Sequence, residues 1–245
     1  MAKNTRIFGI NAIEEALLSG VTFEKILFNP GKQQSNFKRL MAKLKAHDVP
    51  VKKVPKIVLD KINRVSHQGM IGFISPLEYF RLEDILDKIY DEGRLPFILF
   101  LDQITDVRNF GAIARSAHAF GVDAIVIPVQ NSVQISADAI KTSAGALTHL
   151  KVCRVSSMQE SIDYVRQYGL KVLGVTEKSS SEISAADLSL PMGLVMGSEH
   201  DGISPSILKM LDGGIRIPMQ SDWDSLNVSV AAGIAMYKVK ELAKR

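Results

Sequence analysis

The feature that most constrains this chain is an alternation that runs from residue 97 to residue 243. Short apolar runs rich in β-branched residues take turns with stretches whose apolar residues recur at helical spacing. FILFLD, residues 97–102, reads as a strand that is apolar on both faces, as a parallel strand covered by helices must be. Phe110, Ile113, Ala114, Ala117 and Phe120 then fall on one helical face, and Gly121 marks the stop. The same reading predicts strands at 124–128, 151–155, 171–176, 193–197 and 214–218, with helices over 133–147, 157–168 and 226–243. Such alternation specifies an α/β fold with a parallel sheet wrapped by helices.

The front of the chain is a smaller α/β pattern. Ile10, Ile13, Leu17 and Leu18 share a face of a helix predicted over 7–18, which Gly20 ends. KILF at 25–28, 49–54 and 70–75 read as strands, and Phe37, Leu40, Met41 and Leu44 form a second helical stripe with lysines outside it. Pro76, an acidic stretch (LEDILDKIYDEG) and Pro96 read as a connector. The expected division is a small α/β domain over 1–76, a linker over 77–95 and a larger domain over 96–245. Charge follows it, since residues 1–65 hold 13 Lys and Arg against 5 Asp and Glu, whereas 96–245 hold 14 against 15. A basic front beside a near-neutral body suggests a grip on a polyanion. A solvated, lysine-rich surface explains the same numbers. Lys25, Lys32, Lys38, Arg39, Lys43, Lys45, Lys52 and Lys53 are the candidate phosphate contacts, as a set.

Several function classes drop out. The longest apolar runs, such as 95–101, are too short to span a bilayer. The N-terminal segment carries Glu14 and Glu15 where a secretory signal would be apolar. The single cysteine, Cys153, forms no intrachain disulfide and no Cys-based metal site, so a cytoplasmic location without a metal is expected. There is no dinucleotide fingerprint, no Walker-type phosphate loop, no zinc-hydrolase H-E-x-x-H and no G-x-S-x-G elbow.

Three polar clusters remain, each beyond the C-terminal end of a predicted strand, the edge where open α/β sheets bind ligands. The first spans 102–115 and contains Asn109 and Arg115. Arg115 interrupts a helix of small and apolar residues, which calls for an anionic partner or an open cleft. A helix cap at Asn109 with a surface arginine is the plainer account. The second is Gly197-Ser-Glu199-His-Asp-Gly202, where glycines let the backbone approach a ligand beside a carboxylate. A tight turn before Ser204-Pro205 would need the same residues. The third joins Ile217-Pro-Met219 to Ser225-Leu226-Asn227-Val-Ser229, where Ser225 or Asn227 could simply cap the last helix.

Taken together, in this order, the clusters resemble the three motifs of the SpoU (TrmH-like) RNA ribose 2′-O-methyltransferases of the SPOUT superfamily. Asn109 with Arg115 matches the first motif, Gly197 to Gly202 the second, and Ile217 to Met219 with Ser225 to Ala231 the third. Phe8-Gly-Ile-Asn-Ala-Ile-Glu-Glu-Ala-Leu17 and Ser66-His-Gln-Gly69 are similar to the front domain of the bacterial 23S rRNA guanosine 2′-O-methyltransferases. Val107 stands where the family often has proline, and 221–224 (SDWD) falls where relatives vary.

The resemblance implies a deep trefoil knot in the C-terminal domain, a small RNA-binding front domain, S-adenosylmethionine as cofactor, and a homodimer. It implies a 23S rRNA guanosine as target, because the tRNA enzymes of the family generally lack the front domain. A tRNA target, or a non-catalytic RNA-binding role in ribosome assembly, stays open beside it. For the site it implies Arg115 activating the acceptor, Asn109 orienting Arg115 or the ribose, Glu199 positioning the arginine or the substrate base, and Ser225 and Asn227 fixing bound groups. Gly197, Ile217, Leu226 and Met219, with Thr176 at the end of a strand, would form the cofactor wall. The serine-rich stretch 177–186 reads as a solvated loop.

Overall fold

The structure, a computed structural model, describes residues 6–29, 36–63, 67–220 and 225–242. Lys32, Ser66 and the 221–224 segment singled out above lie outside the described residues. The chain divides into two compact units, Met1–Glu78 with Ile135–Ala137, and Tyr79–Gln134 with Asp138–Arg245.

The first unit carries β1 (Arg6–Phe8), α1 (Ile10–Leu18), β2 (Phe23–Phe28), α2 (Phe37–Ala46), β3 (Val51–Lys53), α3 (Lys56–Ile62) and β4 (Met70–Ile74). Its strands lie in the order β1-β4-β2-β3, with β4 antiparallel to both neighbours and β2 parallel to β3. Alternate strand residues serve opposite faces. Phe23, Ile26 and Met70 pack with Ile10, Ile13 and Leu17 of α1 and Leu40 and Leu44 of α2. Leu27 and Ile71 turn the other way and pack with Leu59 of α3. The helix read from Ile7 begins later, because the chain spends 6–8 on an edge strand and then turns at Gly9. There φ is 91°, a conformation that side chains resist. The seven residues of α3 were too few for their period to stand out from the strands beside them.

The second unit runs β5 (Tyr79–Phe80), α4 (Leu82–Asp91), β6 (Phe97–Leu101), α5 (Val107–Phe120), β7 (Ala124–Pro128), α6 (Ala137–Thr142), β8 (Lys151–Val155), α7 (Met158–Gln167), β9 (Lys171–Val175), β10 (Met192–Met196), α8 (Pro205–Leu208), β11 (Gly213–Ile215) and α9 (Val228–Leu242). Seven strands form a parallel sheet in the order β11-β9-β10-β6-β7-β8-β5. Every residue of β6 and β10 is buried, as the continuous apolar runs required. Cys153 sits inside β8, where burial pushes its thiol up to about 12, so it has no thiolate to offer chemistry. Among the described residues no helix is long and apolar enough to cross a membrane.

Two expectations change. The stretch read as a linker is packed, since β5 pairs with β8 and α4 buries Leu82, Ile85, Leu86 and Ile89 against Ile98, Phe100 and Val126. An acidic amphipathic pattern looks alike in a solvated spacer and in a helix with one buried face, and only the sheet supplies the missing surface. The helix read over 133–147 shrinks to α6, because Val133 and Ile135 are buried outside any helix. The backbone at Ala144 and Gly145, φ 52° and 86°, then ends it.

The packing of α4 gives a first expected outcome. Leu86 is fully buried, so Leu86→Ala should cost about 2–5 kcal/mol in urea unfolding of the intact chain. A spacer residue would change stability by no more than about 0.5 kcal/mol.

Candidate functional site

From β6 the chain winds through β7 to β8 on one side, and later returns to lay β9 and β10 on the other. The β6–β10 boundary is therefore the switch point of the sheet, where loops leaving adjacent strands diverge and open a crevice. Both strands end level, with Leu101 opposite Met196 and the Asp102 N–H donating to the Met196 carbonyl at 2.8 Å.

The loop after β10 doubles back on itself. A Cβ on Gly197 would lie 2.0 Å from the Gly202 carbonyl carbon and 2.2 Å from the Ile203 nitrogen, so no other residue fits there. Ser198 and Gly202 exchange backbone hydrogen bonds of 3.0 and 3.1 Å across the turn. Asp102 fastens its far end, because this buried carboxylate accepts the Ser204 N–H at 2.7 Å and the Ser204 hydroxyl at 2.5 Å. The turn leaves Glu199 exposed at the rim.

The loop after β6 leads into α5 through Asp106, whose Oδ1 accepts the N–H groups of Arg108 and Asn109 at 2.8 Å each. The cap is thus Asp106, and Asn109 is free to turn its side chain into the crevice. At the start of α9 the cap is Asn227. Its Oδ1 accepts the Ser229 N–H at 3.0 Å and the Ser229 hydroxyl at 2.6 Å. With the oxygen held so, Nδ2 faces the crevice and donates to Asn109 Oδ1 at 3.1 Å and to Glu199 Oε1. Three of the residues named from the sequence meet here. The carboxamide can serve all of them because one end only accepts and the other only donates.

Arg115 does not join them. It is exposed and makes no hydrogen bond or ion pair among the described residues. Asn109 and Glu199 both bond to Asn227 and not to Arg115. The geometry of α5 explains this, because six residues at about 100° each leave two side chains about 120° apart around a helix.

A cavity of about 320 Å³ opens beside the junction. Thr176, Gly197, Ile217, Met219 and Leu226 all line it, together with Ser225 and Glu199. Its size falls within the range of small-molecule sites. Glu177, Lys178, His200 and Asp201 line it too, and none of these was anticipated. The first two belong to the stretch read as a solvated loop, which is an exposed loop that is also fastened to the strand beside it. Ser179 Oγ donates to the Gly214 carbonyl at 2.6 Å, and the Ile183 and Arg216 N–H groups reach the Arg216 and Ser181 carbonyls at 2.9 Å. Their position directly after Thr176, at a strand end, was the available signal. Among the described lining residues the carboxylates of Glu177, Glu199 and Asp201 outnumber the cation of Lys178, so the lining favours a positively charged guest. Among the described residues no group of three or more His, Cys, Asp or Glu side chains is placed to hold a metal ion.

Residues 96–237, which contain the junction and the cavity, match the model of the SpoU rRNA Methylase family. The chain belongs to that family. Residues 6–80 of this SpoU chain match a second model, RNA 2′-O ribose methyltransferase substrate binding. A Staphylococcus epidermidis protein named for the TrmH family of tRNA/rRNA methyltransferases is 34% identical over 233 residues, covering 95% of this chain and 94% of that one. Among solved structures, an RNA 2′-O ribose methyltransferase is 27% identical, with a TM-score of 0.55 over 97% of this chain and 88% of its own. An AdoMet-bound rRNA methyltransferase from Sinorhizobium meliloti shares the fold at 23% identity, with a TM-score of 0.62 over 97% and 87%. The protein is an RNA methyltransferase of the SpoU/TrmH type.

The turn of this SpoU enzyme yields a sharp expected outcome. Gly197→Ala should spring the loop open. Hydrogen exchange would then show the Gly202 and Ser204 amides losing protection while β6 and β10 keep theirs. Unchanged protection at 202 and 204 would mean the close approach is not a constraint.

Proposed function

We propose that the chain transfers the methyl group of S-adenosylmethionine to the ribose 2′-hydroxyl of a guanosine in 23S rRNA. The observation that carries the reading is the junction of Asn109, Glu199 and Asn227 at the rim of a cavity of cofactor size. The cavity suits this cofactor on its own chemistry. Ile217 and Leu226 bring no polar side-chain atom, so an adenine there would be read by peptide N–H and C=O groups. The surplus of carboxylates matches a ligand with net positive charge. When bound, the cofactor supplies a methyl group already activated on a sulfonium.

The remaining work falls to the chain. In the transfer the 2′-oxygen would take the methyl, the sulfonium sulfur would keep the bonding pair as a neutral thioether, and the hydroxyl proton would pass to water. Gly197, Ile217, Leu226, Met219 and Thr176 hold the donor, and Ser225 stands between donor and acceptor sides. Asn109 and Glu199, set by Asn227, orient the ribose. Arg115 carries a permanent charge. It takes the phosphate next to the target ribose and stabilises charge developing on O2′. The front unit matches a substrate-binding model, and the resemblance, in which the tRNA enzymes generally lack such a domain, favours an rRNA target. A non-catalytic assembly factor would have no use for the junction.

The same reading includes a homodimer and the family's knotted chain path. Val230, Ile234 and Tyr237 are 50%, 39% and 54% exposed at helical spacing on α9, an apolar face that suits a second copy. The face lies on the helix that Asn227 caps, which packs on α5, the carrier of Arg115. The knot is supported by the return of the chain from β11, at the far edge of the sheet, to Ser225 and Leu226 at the cavity.

Purified protein should move label from S-adenosylmethionine to rRNA transcripts, and a 2′-deoxy substitution at the modified nucleotide should abolish transfer. Transfer that survives the deoxy change would assign the methyl to a base. Arg115→Ala should keep cofactor affinity and lose turnover by about 10²–10³-fold, whereas weakened cofactor binding would place Arg115 wrongly. Ile234→Glu should turn a dimer into a monomer in sedimentation velocity. A wild-type chain already monomeric there would remove the dimer from the reading.

A further inference from the structure

The front sheet has one face closed by α1 and α2 and another that α3 covers only in part. Strand register fills the open part with a single cross-strand row. Arg6 of β1 and Lys25 of β2 both pair with Phe73 of β4, one from each side. The Arg6 guanidinium carbon lies 5.4 Å from the centroid of the Phe73 ring and the Lys25 ammonium nitrogen 5.1 Å, both within cation–π range. The next row on this face runs Phe8, Ile71, Leu27 and, on β3, Lys52. The first three of these pack under α3, and Lys52 stays exposed. Burial holds the Lys25 ammonium below its ordinary range, with Glu24 acting against the shift and Lys52 with it. A half-desolvated cation beside a like charge gains from an incoming anion.

The basic residues of this unit are not equivalent. Arg39 and Lys43 converge on the buried Glu14 carboxylate at 2.7 and 2.8 Å, so their charge is already matched. Lys56 lies 4.0 Å from Asp60. Arg6 and Lys52 carry no ion pair among the described residues. Lys38 and Lys45 of α2 are exposed without an ion pair among the described residues as well, and what sets the sheet face apart is that its cations are held at fixed positions over one ring.

We propose that Arg6, Lys25 and Lys52 form a strip that binds the sugar–phosphate backbone of RNA, with Phe73 as the positioning residue that holds the first two cations in place. This rests on the reading that the front unit binds RNA, and it names the surface that does so. Long cationic side chains lose rotamer freedom when they grip a phosphate. Two that already lie against one ring have given up part of that freedom, which raises affinity without adding a contact.

The test uses the full-length protein and a fluorescent 23S rRNA transcript, with binding measured by anisotropy across a potassium chloride series. Arg6→Ala, Lys25→Ala and Lys52→Ala should each lower the slope of log K against log salt by about 0.7–0.9, one phosphate contact apiece. Phe73→Leu keeps the charge and the apolar volume, so it should weaken binding several-fold and leave the slope unchanged. Phe73→Tyr should behave as wild type. Arg39→Ala, already matched by Glu14, should leave the slope alone. Melting curves of each variant exclude a fold defect, and Phe73→Tyr keeps the ring arm readable if Phe73→Leu unfolds. Unchanged slopes for Arg6→Ala and Lys25→Ala overturn the strip. Wild-type affinity in Phe73→Leu overturns the positioning role. A wild-type protein that binds no RNA would instead remove the reading on which the strip rests.

Discussion

The site depends on the orientation of one carboxamide. Asn227 must place its oxygen toward the first turn of α9 and its nitrogen toward Asn109 and Glu199. Flipped, it would set N–H against the Ser229 N–H and oxygen against a carboxylate, two repulsions in place of two bonds. The helix end and the chemistry thus share one group, and neither can be satisfied without the other. The Ser229 hydroxyl, which donates to the same oxygen, reinforces the choice.

The rest of the unit brings three distant segments to that amide. Parallel pairing of β6 with β10 sets their following loops at one level. The turn at Gly197 and the Asp102–Ser204 tie decide where Glu199 stands. The packing of α9 on α5 brings residue 227 within reach of residue 109. The cavity shares two of these segments, the turn after β10 and the approach to α9, and takes its third wall from residues 175–178 after β9. These constraints are backbone and burial effects, which leaves the exposed rim able to vary with substrate.

Much of this was legible in residue order. Apolar runs marked β6, β7 and β10, and the three polar clusters at strand ends named the cavity wall and the junction. Other parts depended on surfaces that a linear pattern does not carry. The acidic stretch over 82–91 gave no sign that its apolar face would meet the sheet. Asn109, a plausible cap on composition, proved to be a junction residue because Asp106 had taken the cap. Arg115 stood six residues away in sequence and on another side of the helix in space. That the loop at 177–186 is tied down left little trace, because apart from the Arg216–Glu182 ion pair its bonds run to the backbone of residues 214 and 216.

The central claim is that Asn227 makes Asn109 and Glu199 act as a unit. A double-mutant cycle on methyl transfer measures this directly, with Asn109→Ala, Glu199→Ala and the pair assayed beside cofactor affinity. Residues held by one bridging amide should be strongly non-additive, so the double variant should lose little more than the worse single one. Losses that multiply would show that the two side chains work independently and that the bridge is only a helix cap.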